Sequence, residues 1–218
     1  MKITQAERDA VYKTIFNRRD VRAEFEATPI PDDVLKRILT AAHHAPSVGF
    51  MQPWDFVIVR SDETKQKLKQ GFIQANREAE ALFEGERKEQ YRSLKLEGIQ
   101  EAPIGICVTC DRTRTGPLVL GRTANLDMDL YSSVCAVQNL WLAARAENIG
   151  VGWVSIIHDH VLHQTLGIPE HIVPIAYLCL GYVSHFHDQP ELEKRGWLKR
   201  QSLNSLIHEE QWQDKSHK

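Results

Sequence analysis

The chain has 218 residues, of which 27 are Lys or Arg, 29 are Asp or Glu, and 42% are hydrophobic. A chain of this length can bury enough apolar surface to fold without disulfide bonds, so we expect a single domain over residues 1–218. The formal net charge of -2 excludes the strongly basic surface expected of a nucleic-acid-binding protein. Any anionic ligand must therefore be bound by a local group of basic residues.

The sequence predicts a cytoplasmic protein without a membrane segment. Charged residues interrupt the first twenty positions, so this stretch lacks the continuous apolar core of a signal peptide. The longest mostly apolar stretch, 172–183, contains Pro174 and Gly181 and is shorter than the roughly 20 residues of a membrane-spanning helix.

Two helices are predicted before the first strand. Thr4 and Glu7 have the spacing of a capping box, which predicts a helix over 4–17. Pro31, followed by two acidic residues, favours a second helix start, and apolar residues at helical spacing extend this helix through Ala42 until Pro46 stops it. The residues Trp54–Val59 then have the pattern of a strand.

A long polar stretch separates this strand from the next. The region 62–98 is rich in Glu, Lys, Arg and Gln, is broken near Gly85 and has a thin apolar stripe, so we expect a helical surface lid. A buried strand is predicted over 103–110. Residues three apart on a strand point to opposite faces, so no disulfide is expected between Cys107 and Cys110. A zinc site would need a second close pair, which the other two cysteines do not form, so buried thiols are predicted.

The most regular helix is predicted over 128–146, and it is apolar on two faces. One stripe consists of Leu130, Val134, Val137, Trp141 and Ala144, and the second face consists of Tyr131, Cys135, Leu142 and Ala143. A helix that is apolar on two sides is expected to be buried on two sides. We therefore predict that this helix packs on the sheet and also on a partner subunit in a homodimer.

The C-terminal part contains two predicted strands and a polar tail. The strands are expected over 151–156 and 173–183, with a short helix between them that begins at Asp159, and the tail begins at Ser184. This order of elements predicts an α+β fold in which helices surround a mixed sheet.

The densest group of basic residues follows the first helix. Arg18, Arg19 and Arg22 lie within five positions, and a guanidinium binds phosphate through two N–H groups at once. From residue types alone, the cluster predicts either a phosphate site or a solvated basic turn. A second candidate is the loop before the first strand, where Ser47 and Gln52 offer hydrogen-bonding groups.

Two other motifs do not predict a site. Gly150 and Gly152 follow a helix and enter a strand, whereas the glycines of a dinucleotide site follow a strand and open a helix. Five histidines have spacings that could serve a metal, but no acidic residue at a matching spacing joins them, so no metal site is predicted: His158, His160, His163, His185 and His187.

Several segments together resemble the nitroreductase-like flavoprotein family. They are the RRDVR cluster after the first helix, the stretch IPDDVLKRILTAAHHAPSVGFMQPWDFVIV, the GVGWVS segment and the C-terminal GWLKR segment. The resemblance covers nearly the whole chain. It implies an α+β homodimer with an extended C-terminal arm that binds FMN at the subunit interface. The family pattern usually has a serine between the paired arginines and the third, whereas this sequence has Asp20.

The resemblance implies a set of FMN-binding residues: Arg18, Arg19, Asp20, Val21, Arg22, His43, Ser47, Gln52, Ser155 and Arg200. The arginines would bind the phosphate or the ribityl chain, with Arg200 adding its charge from the C-terminal arm. Ser47 and Gln52 would bind the ribityl chain and the edge of the ring. His43 is either a residue near the flavin or a cap for the carbonyls at the end of its helix.

Asp20 and Ser155 are the predicted catalytic residues. They match positions that one branch of the family uses to fragment its flavin, with reduced FMN as a substrate that reacts with O2. In that branch NAD(P)H acts only indirectly, through a separate flavin reductase. From residue types alone, Asp20 has the alternative of a salt bridge with a neighbouring arginine, and Ser155 that of a hydroxyl bonded to main chain inside a strand.

Two other functions stay open at the level of the sequence. An ordinary nitroreductase or flavin reductase would recycle bound FMN with NAD(P)H, and a flavin-binding storage or regulatory module would catalyse nothing. The carboxylate of Asp20 favours flavin fragmentation. A carboxylate beside a phosphate site is electrostatically costly unless it points away from the phosphate, so its presence indicates a role at the flavin ring.

Overall fold

The computed structural model describes residues 1–213, so the last five residues of the predicted domain lie outside the described part. The helices are α1 (Gln5–Asn17), α2 (Asp32–His43), α3 (Asp62–Glu80), α4 (Gly85–Arg92), α5 (Met128–Ala146), α6 (Asp159–Leu166), α7 (Glu191–Lys194) and α8 (Leu203–Leu206), and the strands are β1 (Trp54–Val59), β2 (Ile104–Asp111), β3 (Ile149–Val154) and β4 (Ile172–Tyr182). This order confirms the predicted succession through β4 and adds two short helices in the tail. The chain forms two compact units, Met1–Phe186 and His187–Lys218.

The predicted helix starts are present in α1 and α2. In α1, Glu7 N donates to Thr4 Oγ1 at 3.4 Å, and Thr4 N donates to Glu7 Oε2 at 2.7 Å. α2 begins directly after Pro31, with Asp32 and Asp33 in its first turn. Residues of this kind suit the unpaired N–H groups and the positive end of a helix start, so both boundaries depend on neighbouring residues.

The four strands form one sheet in the order β1-β2-β4-β3, and its three pairings are antiparallel. The parallel component of the predicted mixed sheet is confined, within residues 1–213, to an isolated bridge between Asp20 and Val151. β2 lies between β1 and β4 and is buried along nearly its whole length. β3 lies at the other edge, where the segment that follows α1 attaches.

Two hydrophobic clusters cover the opposite faces of the sheet. One joins α2 and α5 to β-strand residues such as Ile106 and Leu178, and the other joins α3 and α6 to Cys107 and Tyr177. Successive strand residues alternate between these faces, so Cys107 and Cys110 point away from each other, and both are free, buried thiols as predicted. Burial raises the pKa of the Cys107 thiol to about 12, so this thiol is protonated at neutral pH.

The buried face of α5 differs in part from the predicted stripe. Val137, Trp141 and Ala144 are buried as predicted, but Val134 of the same stripe is exposed. Three buried polar residues occupy the first half of the helix instead: Asp129, Ser132 and Ser133. Asp129 and Ser132 bind groups from distant segments, which hydrophobic periodicity does not report.

The region predicted as a lid forms a layer of the domain. α3 contributes Leu68 and Phe72 to the cluster on its face of the sheet. The chain that follows α4 carries Glu97, a carboxylate that is 3% exposed and forms ion pairs with Lys69 and Lys95. The predicted thin apolar stripe is thus sufficient to dock α3. Its role as a lid stays a prediction.

The C-terminal unit contains the short helices α7 and α8. Although its sequence is mostly polar, Leu198, Leu203 and Trp212 expose 70%, 69% and 85% of their surface within the described residues. In neither unit does the described chain contain a helix long and apolar enough to cross a membrane.

Candidate functional site

The arginine segment, residues 18–22, lies along the edge of β3. Asp20 forms the isolated parallel bridge with this strand, and Val21 N donates to Val151 O at 3.0 Å. Gly152 allows the close approach, because a Cβ at this position would lie 2.0 Å from the carbonyl oxygen of Val21. This glycine therefore serves the packing of two main chains.

Two partners hold the carboxylate of Asp20. Its Oδ1 accepts a hydrogen bond from Trp153 N at 3.0 Å, and its Oδ2 lies 2.5 Å from Arg22 Nη2. The side chains of Asp20 and Arg22 are 29% and 11% exposed, so the pair is largely shielded from water. Burial raises the pKa of the Asp20 carboxyl, and Arg22 and the Trp153 N–H offset only part of this effect. Asp20 therefore forms a salt bridge with Arg22, and its carboxyl still binds a proton more readily than that of an exposed aspartate.

Arg18 and Arg19 make different contacts, although they are neighbours. The guanidinium of Arg18 lies over the indole of Trp141, with Cζ 4.7 Å from the ring centroid. Arg19 Nη1 donates to the main-chain carbonyls of Phe16 at 2.9 Å and Arg18 at 2.8 Å. Arg19 thus caps carbonyls at the end of α1, and its predicted contact with a phosphate stays a prediction.

The serine loop, residues 47–52, has an unusual backbone conformation. Ser47 Oγ accepts a hydrogen bond from Gln52 N at 3.0 Å and closes the loop. The φ angle is 55° at Phe50 and 47° at Gln52, a region that costs a non-glycine residue about 1–2 kcal/mol. A main-chain N–H of the loop donates to Ser132 Oγ on α5 at 3.0 Å. The structure therefore brings Ser47 and Gln52 together, in a strained loop of the kind found at binding sites.

Arg114 is a further residue of this site, and no local sequence motif predicts its role. Its Nη1 donates to the carbonyl oxygens of Gln52 at 2.8 Å and Trp54 at 3.0 Å. Its Nη2 also pairs with the carboxylate of Asp55. A guanidinium offers several N–H donors in fixed directions, so Arg114 holds the end of the serine loop where β1 begins.

A buried carboxylate supports the other side of the serine loop. Asp129 is fully buried and accepts hydrogen bonds from Arg112 Nε at 3.1 Å and Arg122 Nη1 at 2.6 Å. Arg122 Nη1 also lies 3.9 Å from Met51 Sδ in the loop. These contacts tie the chain between β2 and α5 to the start of α5, next to the loop.

His43 binds Trp54 rather than the end of its own helix. Trp54 Nε1 donates to His43 Nδ1 at 3.2 Å, so the neutral imidazole carries its proton on Nε2. The neighbouring His44 provides the cap, with Nδ1 2.8 Å from the carbonyl oxygen of Thr40. The alternative that His43 caps carbonyls is therefore wrong, and its place near a flavin stays a prediction.

Ser155 and Arg200 lie outside the regular elements. β3 ends at Val154, so the alternative that Ser155 lies inside a strand is wrong. Ser155 is exposed and lines a cavity of about 190 Å³ with Trp153, the residue whose N–H binds Asp20. Arg200 lies in the C-terminal unit, where its main-chain N–H donates to a Glu side chain at 3.2 Å. Its contact with a phosphate stays a prediction.

The arginine segment and the serine loop contact different parts of α5. Ser132 binds the serine loop, and Trp141 contacts the arginine segment. These two residues are nine positions apart on one helix, which corresponds to roughly 13 Å. The structure therefore holds the arginine segment and the serine loop as two separate groups on one chain, and His43 and Ser155 lie outside both.

Comparison with known proteins identifies the family of this fold. Residues 15–182 match the Nitroreductase family, and the chain belongs to this family. The predicted resemblance and the α+β fold class are thus confirmed.

Two relatives and one solved structure are similar to this chain over most of its length. The 5,6-dimethylbenzimidazole synthase of Rhodospirillum rubrum is 41% identical over 183 residues, which cover 84% of this chain and 86% of that protein. A protein of the same name from Rhodobacter capsulatus is 36% identical over 198 residues, which cover 90% and 95% of the two chains. The structure of oxidized iodotyrosine deiodinase bound to FMN and 3-iodo-L-tyrosine matches with a TM-score of 0.74 at 19% identity, over 93% of this chain and 100% of that chain. This last similarity shows the fold alone.

Proposed function

We propose that this protein converts reduced FMN and O2 into erythrose 4-phosphate and 5,6-dimethylbenzimidazole, the base that forms the lower ligand of cobalamin. The observation that carries the proposal is the shielded carboxyl of Asp20, held at the edge of β3 where the family pattern has a serine. The relatives from R. rubrum and R. capsulatus bear the name of this activity and match most of the chain, which supports the proposal.

Residues from both groups have suitable chemistry to hold FMN. The guanidinium groups of Arg18 and Arg22 suit a phosphate, and the Ser47 hydroxyl and Gln52 amide suit the ribityl hydroxyls and the polar edge of the ring. Arg200 would add a positive charge from the C-terminal unit. Reduced FMN, when bound, supplies both the electrons that O2 accepts and the ring that becomes the product.

A homodimer would combine the two groups of residues. α1 buries no residue in the single chain, although it carries an apolar face. The exposed residues of this face are Val11, Tyr12, Ile15 and Phe16. A helix of 13 residues is marginal in water by itself, so this face suits a partner subunit. The arginine segment of one protomer would then meet the serine loop of its partner around one FMN.

Asp20 would transfer protons in this reaction. Its raised pKa lets the carboxyl bind and release a proton closer to neutral pH than an exposed aspartate does. Ser155 follows the stretch of main chain that binds Asp20, and its hydroxyl would orient the ring or relay a proton to it. α3 and α4 would exclude water as a lid, which protects a reactive flavin from side reactions.

Product analysis tests the proposal directly. The protein would be incubated with FMN, NADH, a separate flavin reductase and air, and the mixture analysed by mass spectrometry. We expect loss of FMN and appearance of 5,6-dimethylbenzimidazole. Asp20→Asn keeps the shape of the side chain and an acceptor for Trp153 N. We expect this variant to bind FMN within about threefold of wild type and to form product at least about 100-fold more slowly.

A carboxylate outside the site provides the matched control. Asp33 is 73% exposed and pairs with Arg37, so Asp33→Asn should keep wild-type turnover. Full recovery of FMN without a benzimidazole would overturn the proposal. Rapid NAD(P)H oxidation without the second enzyme would instead support a nitroreductase or flavin reductase.

A further inference from the structure

One indole contacts two consecutive residues of the arginine segment. Trp141 is 8% exposed and lies in the second half of α5. The Arg18 guanidinium lies over the face of the Trp141 indole, 4.7 Å from the ring centroid. The indole Nε1 of Trp141 donates to the carbonyl oxygen of Arg19 at 3.2 Å. The two contacts use different parts of one side chain. Together they hold the Arg18 side chain and the Arg19 main chain against α5.

A second indole extends this support to Asp20. The ring centroids of Trp141 and Trp153 are 6.4 Å apart with an interplanar angle of 53°, and Trp153 N binds the Asp20 carboxylate. The next residue, Val21, is bonded through its main chain to Val151. Consecutive residues from 18 to 21 are therefore each fixed by α5 or by β3. The conformation of the arginine segment is therefore determined by contacts within the protein, before a ligand binds.

We propose that Trp141 is a positioning residue that makes the site selective for a phosphorylated flavin. This inference rests on the proposed function, because it takes FMN as the ligand. A cation–π contact uses the flat face of a guanidinium and keeps its charge, whereas a phosphate oxygen binds the N–H groups at its edge. Trp141 holds Arg18 so that this edge meets the phosphate. Without the indole, Arg18 would lose conformational freedom on binding, and the affinity for the phosphate would fall.

A comparison of FMN with riboflavin, which lacks the phosphate, tests this role. Dissociation constants for both oxidised flavins are measured from the change in flavin fluorescence. We expect Trp141→Leu to weaken FMN binding about three- to tenfold, the size of one cation–π contact, and to leave riboflavin binding within about twofold. Trp141→Phe keeps an aromatic face, so its ratio of FMN to riboflavin affinity should lie between those of wild type and Trp141→Leu.

Arg18→Met removes the charge and provides the second arm of the test. In this background, Trp141→Leu should cause no further change in the affinity ratio, since the two residues act as one unit. If Trp141→Leu does not fold, the comparison of Trp141→Phe with Arg18→Met decides the question. Equal affinity ratios in wild type and Trp141→Phe, with a lower ratio in Arg18→Met, would then overturn the role of Trp141.

Leu140→Ala is the matched control for a loss of packing in α5. Leu140 is fully buried next to Trp141, so this variant should lower thermal stability while keeping the wild-type affinity ratio. Equal weakening of both flavins in Trp141→Leu would overturn the inference. A wild-type protein that binds neither flavin would overturn the proposed function as well. Wild-type product formation with an unchanged ratio in Trp141→Leu would overturn this inference alone.

Discussion

The arginine segment and the serine loop each follow the end of a helix, but the structure holds them in different ways. The arginine segment is extended and pairs main chain to main chain with β3 across Gly152. The serine loop is tight, has positive φ angles at Phe50 and Gln52, and is bound at its end by Arg114. The arginine segment requires a residue without a side chain at Gly152, and the serine loop requires the guanidinium of Arg114. They should therefore respond to different substitutions.

The largest effect is expected from one methyl group added beneath the arginine segment. In Gly152→Ala, the new Cβ would lie 2.0 Å from the carbonyl oxygen of Val21, so the segment must separate from β3. We expect the free energy of unfolding to fall by about 2–3 kcal/mol. FMN binding should weaken at least about 100-fold, because the arginines are displaced. Chemical denaturation and flavin fluorescence measure the two quantities.

Gly167→Ala separates the effect of the contact from that of the residue type. Gly167 ends α6 with a φ of 66°, and within the described residues a Cβ there meets no atom within 4 Å. This control should cost about 1 kcal/mol and leave FMN binding unchanged. Wild-type FMN binding in Gly152→Ala would contradict the packing role of Gly152.

An intermediate effect is expected in the serine loop. Arg114→Lys keeps the charge but loses the fork that binds the carbonyls of Gln52 and Trp54. We expect a loss of about 1–2 kcal/mol in unfolding free energy and roughly tenfold weaker FMN binding, measured as above. Arg60→Lys is the control, since the Arg60–Asp32 pair is exposed and should contribute less than about 1 kcal/mol. Equal effects of the two substitutions would contradict a specific role of Arg114.

The smallest expected effect is a shift in pH dependence within the arginine segment. Arg22 lowers the pKa of Asp20 against the effect of burial. Arg22→Gln removes this charge, so the pKa should rise further and the acidic limb of the kcat profile should move to higher pH. Arg22→Lys keeps the charge and should shift the limb less. Initial rates at saturating reduced FMN measure the shift, and an unchanged limb in Arg22→Gln would argue against proton transfer by Asp20.

The same carboxyl links pH to stability. The folded protein binds the Asp20 proton more tightly than the unfolded chain does, because burial raises the pKa. The contribution of Asp20 to stability is therefore greatest below its unfolded pKa and is lost as the pH rises through the folded pKa. Denaturation measured across this window should show a steeper loss in Arg22→Gln than in wild type.

Local patterns predicted element boundaries well where a boundary depends on neighbouring residues. The capping box marks the start of α1, and β1 and α5 have their predicted bounds. The strand predicted over 151–156 is instead observed over Ile149–Val154. β3 extends as far as β4 pairs with it, and this partner is distant in sequence. The periodicity of one segment does not report where such a pairing ends.

The candidate site shows the same division between near and distant contacts. Ser47 and Gln52 are close in sequence, and a hydrogen bond joins them within the loop that the sequence predicts. Arg114 and Trp141 act on residues 62 and 122 positions away, so a single sequence gives no signal for either contact. The basic cluster and the polar loop could therefore be located from local sequence, and their contacts with a ligand stay predictions. Several of the residues that orient the cluster and the loop required the structure.

Gly152 has a consequence for mutational scanning. Alanine scanning measures the contribution of a side chain by deleting it, whereas the contribution of Gly152 is a space that one added carbon would fill. A scan would score this position as intolerant although no side chain is lost there. The stability data would then mark the place where β3 pairs with the arginine segment. A larger side chain at this position would hold the arginine segment farther from β3.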